Sequence, residues 1–129
     1  MTKICVYGSL LSDLGNHGVL RDSKLIKKET IQAPYFMVSL GGFPGLIPDR
    51  QKTNHKIVVE IYSVTNDIYK SVERLEGFPH FYQKATVSTT EGQLEIYVLE
   101  KERLTQNVAI DLIDGAFNWK GHLEKRNDR

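Results

Sequence analysis

Val72-Glu73-Arg74-Leu75-Glu76-Gly77-Phe78-Pro79-His80-Phe81-Tyr82 reads as the last turn of a helix, a stop, and the start of a strand. Gly77 accepts the left-handed backbone that ends a helix, and Pro79 cannot continue one. Ile68, Val72 and Leu75 stand at i, i+4 and i+7 and so share one helix face. At roughly 100° per residue, Glu76 lies about 80° from the middle of that face, at the border of the core. It also falls at the negative end of the helix dipole, where an anion is disfavoured. Apolar neighbours and that dipole raise a carboxyl pKa, as a general acid/base needs. From residue chemistry alone two readings stand: a catalytic carboxylate, or a rim glutamate paired with Arg74 or Lys84.

The chain around this stretch has 129 residues, enough for one domain with a sizeable core. Hydrophobic residues make up 40% and charged residues 26%, a globular balance and not that of a disordered chain. The net charge of +1 gives no strong field to recruit nucleic acid or a membrane. No apolar run reaches spanning length, and the start, Met1-Thr2-Lys3-Ile4, lacks the apolar core of a signal peptide. A single cysteine, Cys5, makes no internal disulfide, which fits a reducing cytoplasm. Cys5 reads as a small core residue, because no basic partner adjoins it. His17, His55, His80 and His122 are far apart in sequence, and no metal motif links them. The expected organisation is one domain over residues 1–122 and a charged, frayed tail over 123–129.

Upstream, Ile4-Cys5-Val6-Tyr7 is a short, buried first strand. Gly8-Ser9-Leu10-Leu11 follows as a tight turn. The N–H groups of Ser9, Leu10 and Leu11 either converge as an anion-binding nest or merely end the strand. Asn16 is placed to cap a short helix through Leu20. Lys24 to Ile31 begins as strand or extended chain, and Tyr35 to Leu40 is a second strand after Pro34. Gly41-Gly42-Phe43-Pro44-Gly45-Leu46-Ile47-Pro48 reads as a rigid loop around an aromatic, either a pocket wall or a plain connection. Asp49 to Asn54 looks like an exposed turn.

Lys56 to Val64 is rich in β-branched residues and is the clearest strand. Thr65-Asn66-Asp67 caps the helix that ends at Glu76. Phe81 to Thr89 and Gln93 to Lys101 form a hairpin about Thr90-Glu91-Gly92. Thr105-Gln106-Asn107 opens a last helix carrying Val108, Ile110, Leu112 and Ile113. Together these elements predict an α+β domain around a mixed, curved sheet.

Read together, separated pieces resemble one family. Val6-Tyr7-Gly8-Ser9-Leu10 is similar to the YG(T/S)L loop of the gamma-glutamylcyclotransferase superfamily. Gly15-Asn16-His17 through Leu20-Arg21-Asp22 resembles the segment after it in gamma-glutamylamine cyclotransferases, and Phe43-Pro44-Gly45 resembles the aromatic-Pro-Gly loop of the AIG2-like branch. Glu60-Ile61-Tyr62 through Leu75-Glu76-Gly77-Phe78-Pro79 and Tyr82-Gln83-Lys84 is similar to the family's strand, helix and catalytic glutamate block. The resemblance covers roughly residues 3 to 120. This chain departs in having Val59 where a glycine is usual, Glu73 for a frequent aspartate and Lys84 for a frequent arginine.

The resemblance implies a barrel-like mixed sheet with flanking helices and an active pocket between the YGSL loop and the glutamate. It implies Glu76 as the catalytic carboxylate, Tyr7, Gly8, Ser9 and Leu10 as the substrate loop, and Tyr82 as a pocket residue; Phe43 is expected to close the pocket. The implied activity is a lyase- or acyltransferase-type cyclisation of a gamma-glutamyl amine or amide to 5-oxoproline, with no metal or organic cofactor. The expected partner is a small gamma-glutamyl molecule, with no nucleic acid or membrane. The alternative is a binding or regulatory module that keeps the pocket without turnover.

Overall fold

Local signals and partner strands together build the frame in the computed structural model, which describes residues 1–100 and 108–127. Strand β1 (Thr2–Val6) pairs antiparallel with the long β5 (His55–Val64) and parallel with β7 (Gly92–Val98). Outside β5 runs β2 (Lys24–Ala33), and outside β7 runs β6 (Gln83–Thr89), giving the order β2-β5-β1-β7-β6. Central strands of such a sheet are buried on both faces, and Ile57, Val59, Ile61 and Val64 of β5 are indeed fully buried. The sheet curls so that its outer strands meet. Thr90, in the turn after β6, donates its N–H to Glu29 of β2 at 2.9 Å. The result is the mixed α+β half-barrel expected from the sequence.

A smaller sheet sits beside it, with β3 (Tyr35–Ser39) between β4 (Pro44–Pro48) and β8 (Val108–Ala109). Here the reading of Gly41 to Pro48 as one loop is corrected. Only Leu40 to Phe43 turn, and Pro44 to Pro48 pair with Ser39 to Tyr35. Prolines suit this strand because it is an edge and they stand at its two ends. Asp49, expected in an exposed turn, is buried, and its carboxylate lies 2.8 Å from His55 Nε2.

Helix α1 (Asn66–Leu75) starts where Thr65 Oγ1 accepts the Ile68 N–H. It stops at Gly77, whose φ is +64°. That left-handed conformation costs a residue with a Cβ but not glycine. Val72 is fully buried, but Leu75 is not the core residue its spacing predicted: it is 40% exposed. The helix ends at Leu75, and the chain turns away before a core neighbour covers it.

The last helix is also displaced from its expected place. Val108 and Ala109 are strand β8, and Ile113 makes a bridge to Ala116. Thr105 to Asn107, expected to open that helix, and Lys101 of the hairpin lie outside the described residues. Strand β9 (Ala116–Phe117) instead leads into α2 (Trp119–Asn127), where Trp119 is buried and Leu123 packs against the core. Among the described residues, no helix is long and apolar enough to cross a membrane.

Candidate active site

The C-terminal end of β1 and the C-terminal end of α1 meet at one cavity of about 380 Å³. It is lined by Tyr7, Gly8, Ser9, Leu10, Phe43, Glu76 and Tyr82, which brings together every site residue expected from the sequence. Pockets of a few hundred Å³ suit small ligands. Cys5, Val6, Asn16, Pro44, Leu75, Gly77, Phe81 and Tyr97 also reach it.

The loop after β1 is shaped by a close contact. A Cβ on Gly8 would stand 2.8 Å from Pro44 Cγ, so a glycine alone fits against the small sheet here. Leu11 N–H donates to Gly8 O at 2.9 Å, closing the turn. The expected convergence of three amides is therefore reduced, since Leu11's is spent. Asn16 stands at the expected N-cap position of the short helix over His17–Leu20, but its side chain makes no capping bond. Its side-chain nitrogen donates to Ser9 Oγ at 2.9 Å, which ties the next segment back to the loop. His17 has a structural role, with Nδ1 3.0 Å from Leu10 O.

A second carboxylate fixes the loop from behind. Glu60 on β5 is 3% exposed and accepts bonds of 2.8 Å from Ser12 N–H, Ser12 Oγ and Tyr62 Oη. Lys120 and Lys28 lie 3.8 and 3.9 Å away. Burial by itself would raise the Glu60 pKa, but the bonds from Ser12 and Tyr62 and the Lys120 charge outweigh it, and the pKa falls.

Glu76 is the opposite case. Among the described residues its side chain has no hydrogen-bond or ion-pair partner. Neither cation proposed for it is available: Arg74 bonds Ser71, and Lys84 lies 2.5 Å from Glu73 with its ammonium 4.1 Å above the Phe78 ring. Burial raises the Glu76 pKa from 4.5 to about 7. That value lets one group accept and return a proton near neutrality.

Three tyrosines line the depth of the cavity, each 6% exposed. Tyr7 Oη donates to Tyr97 O at 2.7 Å, and Tyr82 Oη donates to Pro44 O at 2.6 Å. Burial first, and the Glu76 charge after it, raise the Tyr82 pKa, so the hydroxyl stays protonated. Tyr97 Oη is buried without a hydrogen-bond partner among the described residues. Cys5 also borders the cavity, yet burial pushes its thiol up to about 12, so it stays a core thiol and not a nucleophile. No cluster of metal-ligating side chains occurs among the described residues.

The family described as "Gamma-glutamyl cyclotransferase, AIG2-like" matches residues 4–118, nearly the whole chain. This chain belongs to that family. A "Putative gamma-glutamylcyclotransferase" of Methanocaldococcus jannaschii is 35% identical over 92 residues, covering 68% of this chain and 72% of the relative. A protein of the same name from Vibrio cholerae is 29% identical over 98 residues, covering 76% and 82%. The crystal structure of an uncharacterised protein from Pyrococcus horikoshii superposes with a TM-score of 0.72, covering 98% of both chains. At 21% identity, that likeness bears on the fold alone.

The family's gamma-glutamylcyclotransferase glutamate block, read from the sequence around Glu76, thus lies beside the YGSL loop in space. Leu75, Phe81, Asn16 and Tyr97 were not expected at the cavity, and Pro44 only as part of a loop read as either a pocket wall or a plain connection. Leu75 reads as core by its spacing, and Tyr97 is one of several alternating residues in a hairpin. Phe81 had the one available signal, an aromatic two residues after Pro79 in the same turn.

Proposed function

We propose that this gamma-glutamylcyclotransferase-family protein cyclises a gamma-glutamyl amine or amide to 5-oxoproline and releases the free amine, with Glu76 as general acid/base. One observation carries the reading: a half-buried carboxyl without a partner among the described residues, its pKa raised to about 7, opens on a cavity beside a turn of backbone amides. The substrate's own α-nitrogen forms a bond to the γ-carbonyl carbon, and the bond from that carbon to the departing nitrogen breaks. Two protons leave the α-ammonium and two reach the departing amine. Glu76 takes a proton from the first and delivers it to the second. Because attack is intramolecular, holding the chain in a folded-back shape supplies much of the acceleration. The loop from Tyr7 to Leu10 would hold a substrate oxygen through the amides of Ser9 and Leu10. Tyr7, Tyr82 and Phe43 shape the space around it. Incubation with a panel of gamma-glutamyl compounds should release 5-oxoproline from at least one of them. If none releases it, the protein is a binding module that retains the cavity.

A further inference from the structure

The groups lining the cavity fall into two chemical kinds. Gly8, Ser9 and Asn16 offer backbone amides, a hydroxyl and a carboxamide. Phe43, Leu75 and Phe81 offer only apolar surface, yet they are 38%, 40% and 44% exposed. Large apolar side chains left uncovered next to a cavity mark a surface that something else covers. Three of the eight such residues among those described stand at this one mouth. They are arranged around the turn that carries Glu76. Leu75 precedes it, Phe81 N–H donates to Gly77 O, and the Phe43 and Phe81 rings meet edge-on at 6.0 Å.

Charge in the same lining is confined to Glu76. Among the described residues it contains no lysine, arginine, aspartate or histidine, and Glu76 is its one carboxylate. An anionic substituent at the mouth would therefore lose water without gaining a counter-ion, and a cationic one would find only Glu76, the group read here as the acid/base. If the reading of Glu76 as acid/base holds, the departing nitrogen sits at Glu76 and its substituent points along the neighbouring wall. We infer that the amine released by this protein carries an uncharged, apolar substituent, covered by Leu75, Phe81 and Phe43 at the pocket mouth. Exposure supports this direction, rising from 6% at Tyr7, Tyr82 and Tyr97 to 44% at Phe81.

Three substrates test the inference: the gamma-glutamyl amides of methylamine, butylamine and 1,4-diaminobutane. Methylamine and butylamine are of near-equal basicity, so leaving ability alone predicts equal rates. In 5-oxoproline release, kcat/KM for the butylamide should exceed that for the methylamide about fivefold or more, and that for the 4-ammoniobutyl amide about tenfold or more. Phe81→Ala should collapse the butyl-to-methyl ratio toward one, with Phe81→Leu between it and the wild type. Leu75→Glu, at an exposed position, should shift preference toward the cationic amide about fivefold. Equal rates for the three amides, or a preference for the cationic one, would overturn the inference. Should no amide be cyclised, the reaction reading fails and calorimetric binding of the same amides decides this one separately. A butylamide that binds more tightly than the methylamide, with the gap lost in Phe81→Ala, sustains the apolar mouth; equal affinities remove it.

Discussion

Glu60 is a buried carboxylate and Glu76 a half-buried one, yet the fold treats them in opposite ways. Glu60 receives three hydrogen bonds from Ser12 and Tyr62 and faces two lysines, and its pKa is lowered. Glu76 receives none among the described residues, and burial lifts its pKa to about 7. Burial sets the desolvation cost, and the partners decide its outcome. The satisfied carboxylate is a brace between β5 and the loop at Ser12, while the unsatisfied one lines the cavity. On the proposed function, the cost of leaving Glu76 unpaired falls where the reaction uses it.

Removing the brace should have the largest effect. Glu60→Ala strands the Ser12 N–H and the Tyr62 hydroxyl without their acceptor and two lysines without their anion. Urea denaturation should show a loss of about 3–5 kcal/mol. A loss below about 1 kcal/mol would mean that Glu60 is no brace. Next comes Glu76→Gln, which keeps the shape but cannot take up the ammonium proton. Turnover of an active substrate should drop by roughly 100-fold or more, about 2.7 kcal/mol, with the fold intact by melting. Unchanged turnover would end the acid/base assignment, and an unfolded variant would make Glu76 structural.

The third comparison is pH-dependent stability. Folded Glu76 keeps its proton to about pH 7, whereas the ordinary carboxyl releases it near 4.5. Below pH 4.5 both states are neutral at this site and burial adds no charge penalty. Between 4.5 and 7 the unfolded chain alone ionises, so wild-type stability falls, and above 7 the loss levels off. Glu76→Gln has no such loss. It should match the wild type at pH 4 and exceed it at pH 8 by about 1–3 kcal/mol. Equal stability at both pH values would show that the carboxyl is not perturbed. In the wild type, kcat/KM should rise with pH to a plateau with a midpoint near the same value of about 7.

The smallest effect belongs to Lys84, which pairs with Glu73 and stands over Phe78 instead of meeting Glu76. Lys84→Met should cost about 1 kcal/mol in stability. The midpoint of the pH–rate profile should stay within about half a unit. A larger displacement would reveal a charge coupling between Lys84 and Glu76.

Legibility followed the range of the forces. The end of α1 is written locally, in the Thr65 cap, Gly77 and Pro79, so Glu76 could be placed at a core border before any contact was known. Strand β4 was hidden because prolines at both ends look like loop, and only the pairing with β3 shows an edge strand. Residues 108–113 carry apolar spacing that fits a helix, but β3 and a local bridge capture the described part. At the site, the groups near Gly8 and Glu76 were readable from motifs. Asn16, Phe81 and Tyr97 were not, since tertiary contacts alone bring them to the cavity. The two directions of pKa were not readable either: apart from Tyr62, two residues away, the groups that lower the Glu60 pKa come from Ser12 and Lys120, 48 and 60 residues distant, and nothing along the chain says that Glu76 lacks such partners.

The contact between Gly8 and Pro44 has an evolutionary consequence. With 2.8 Å between a hypothetical Gly8 methyl and the proline ring, Gly8 cannot enlarge while Pro44 stays as it is. A change at Gly8 becomes admissible only after Pro44 has shrunk. Pro44 in turn accepts the Tyr82 hydroxyl through its carbonyl, at the other side of the cavity. Substitutions in the loop after β1 are therefore epistatic with a strand of the small sheet. Lineages that remodel this pocket must move through ordered pairs of changes instead of independent ones.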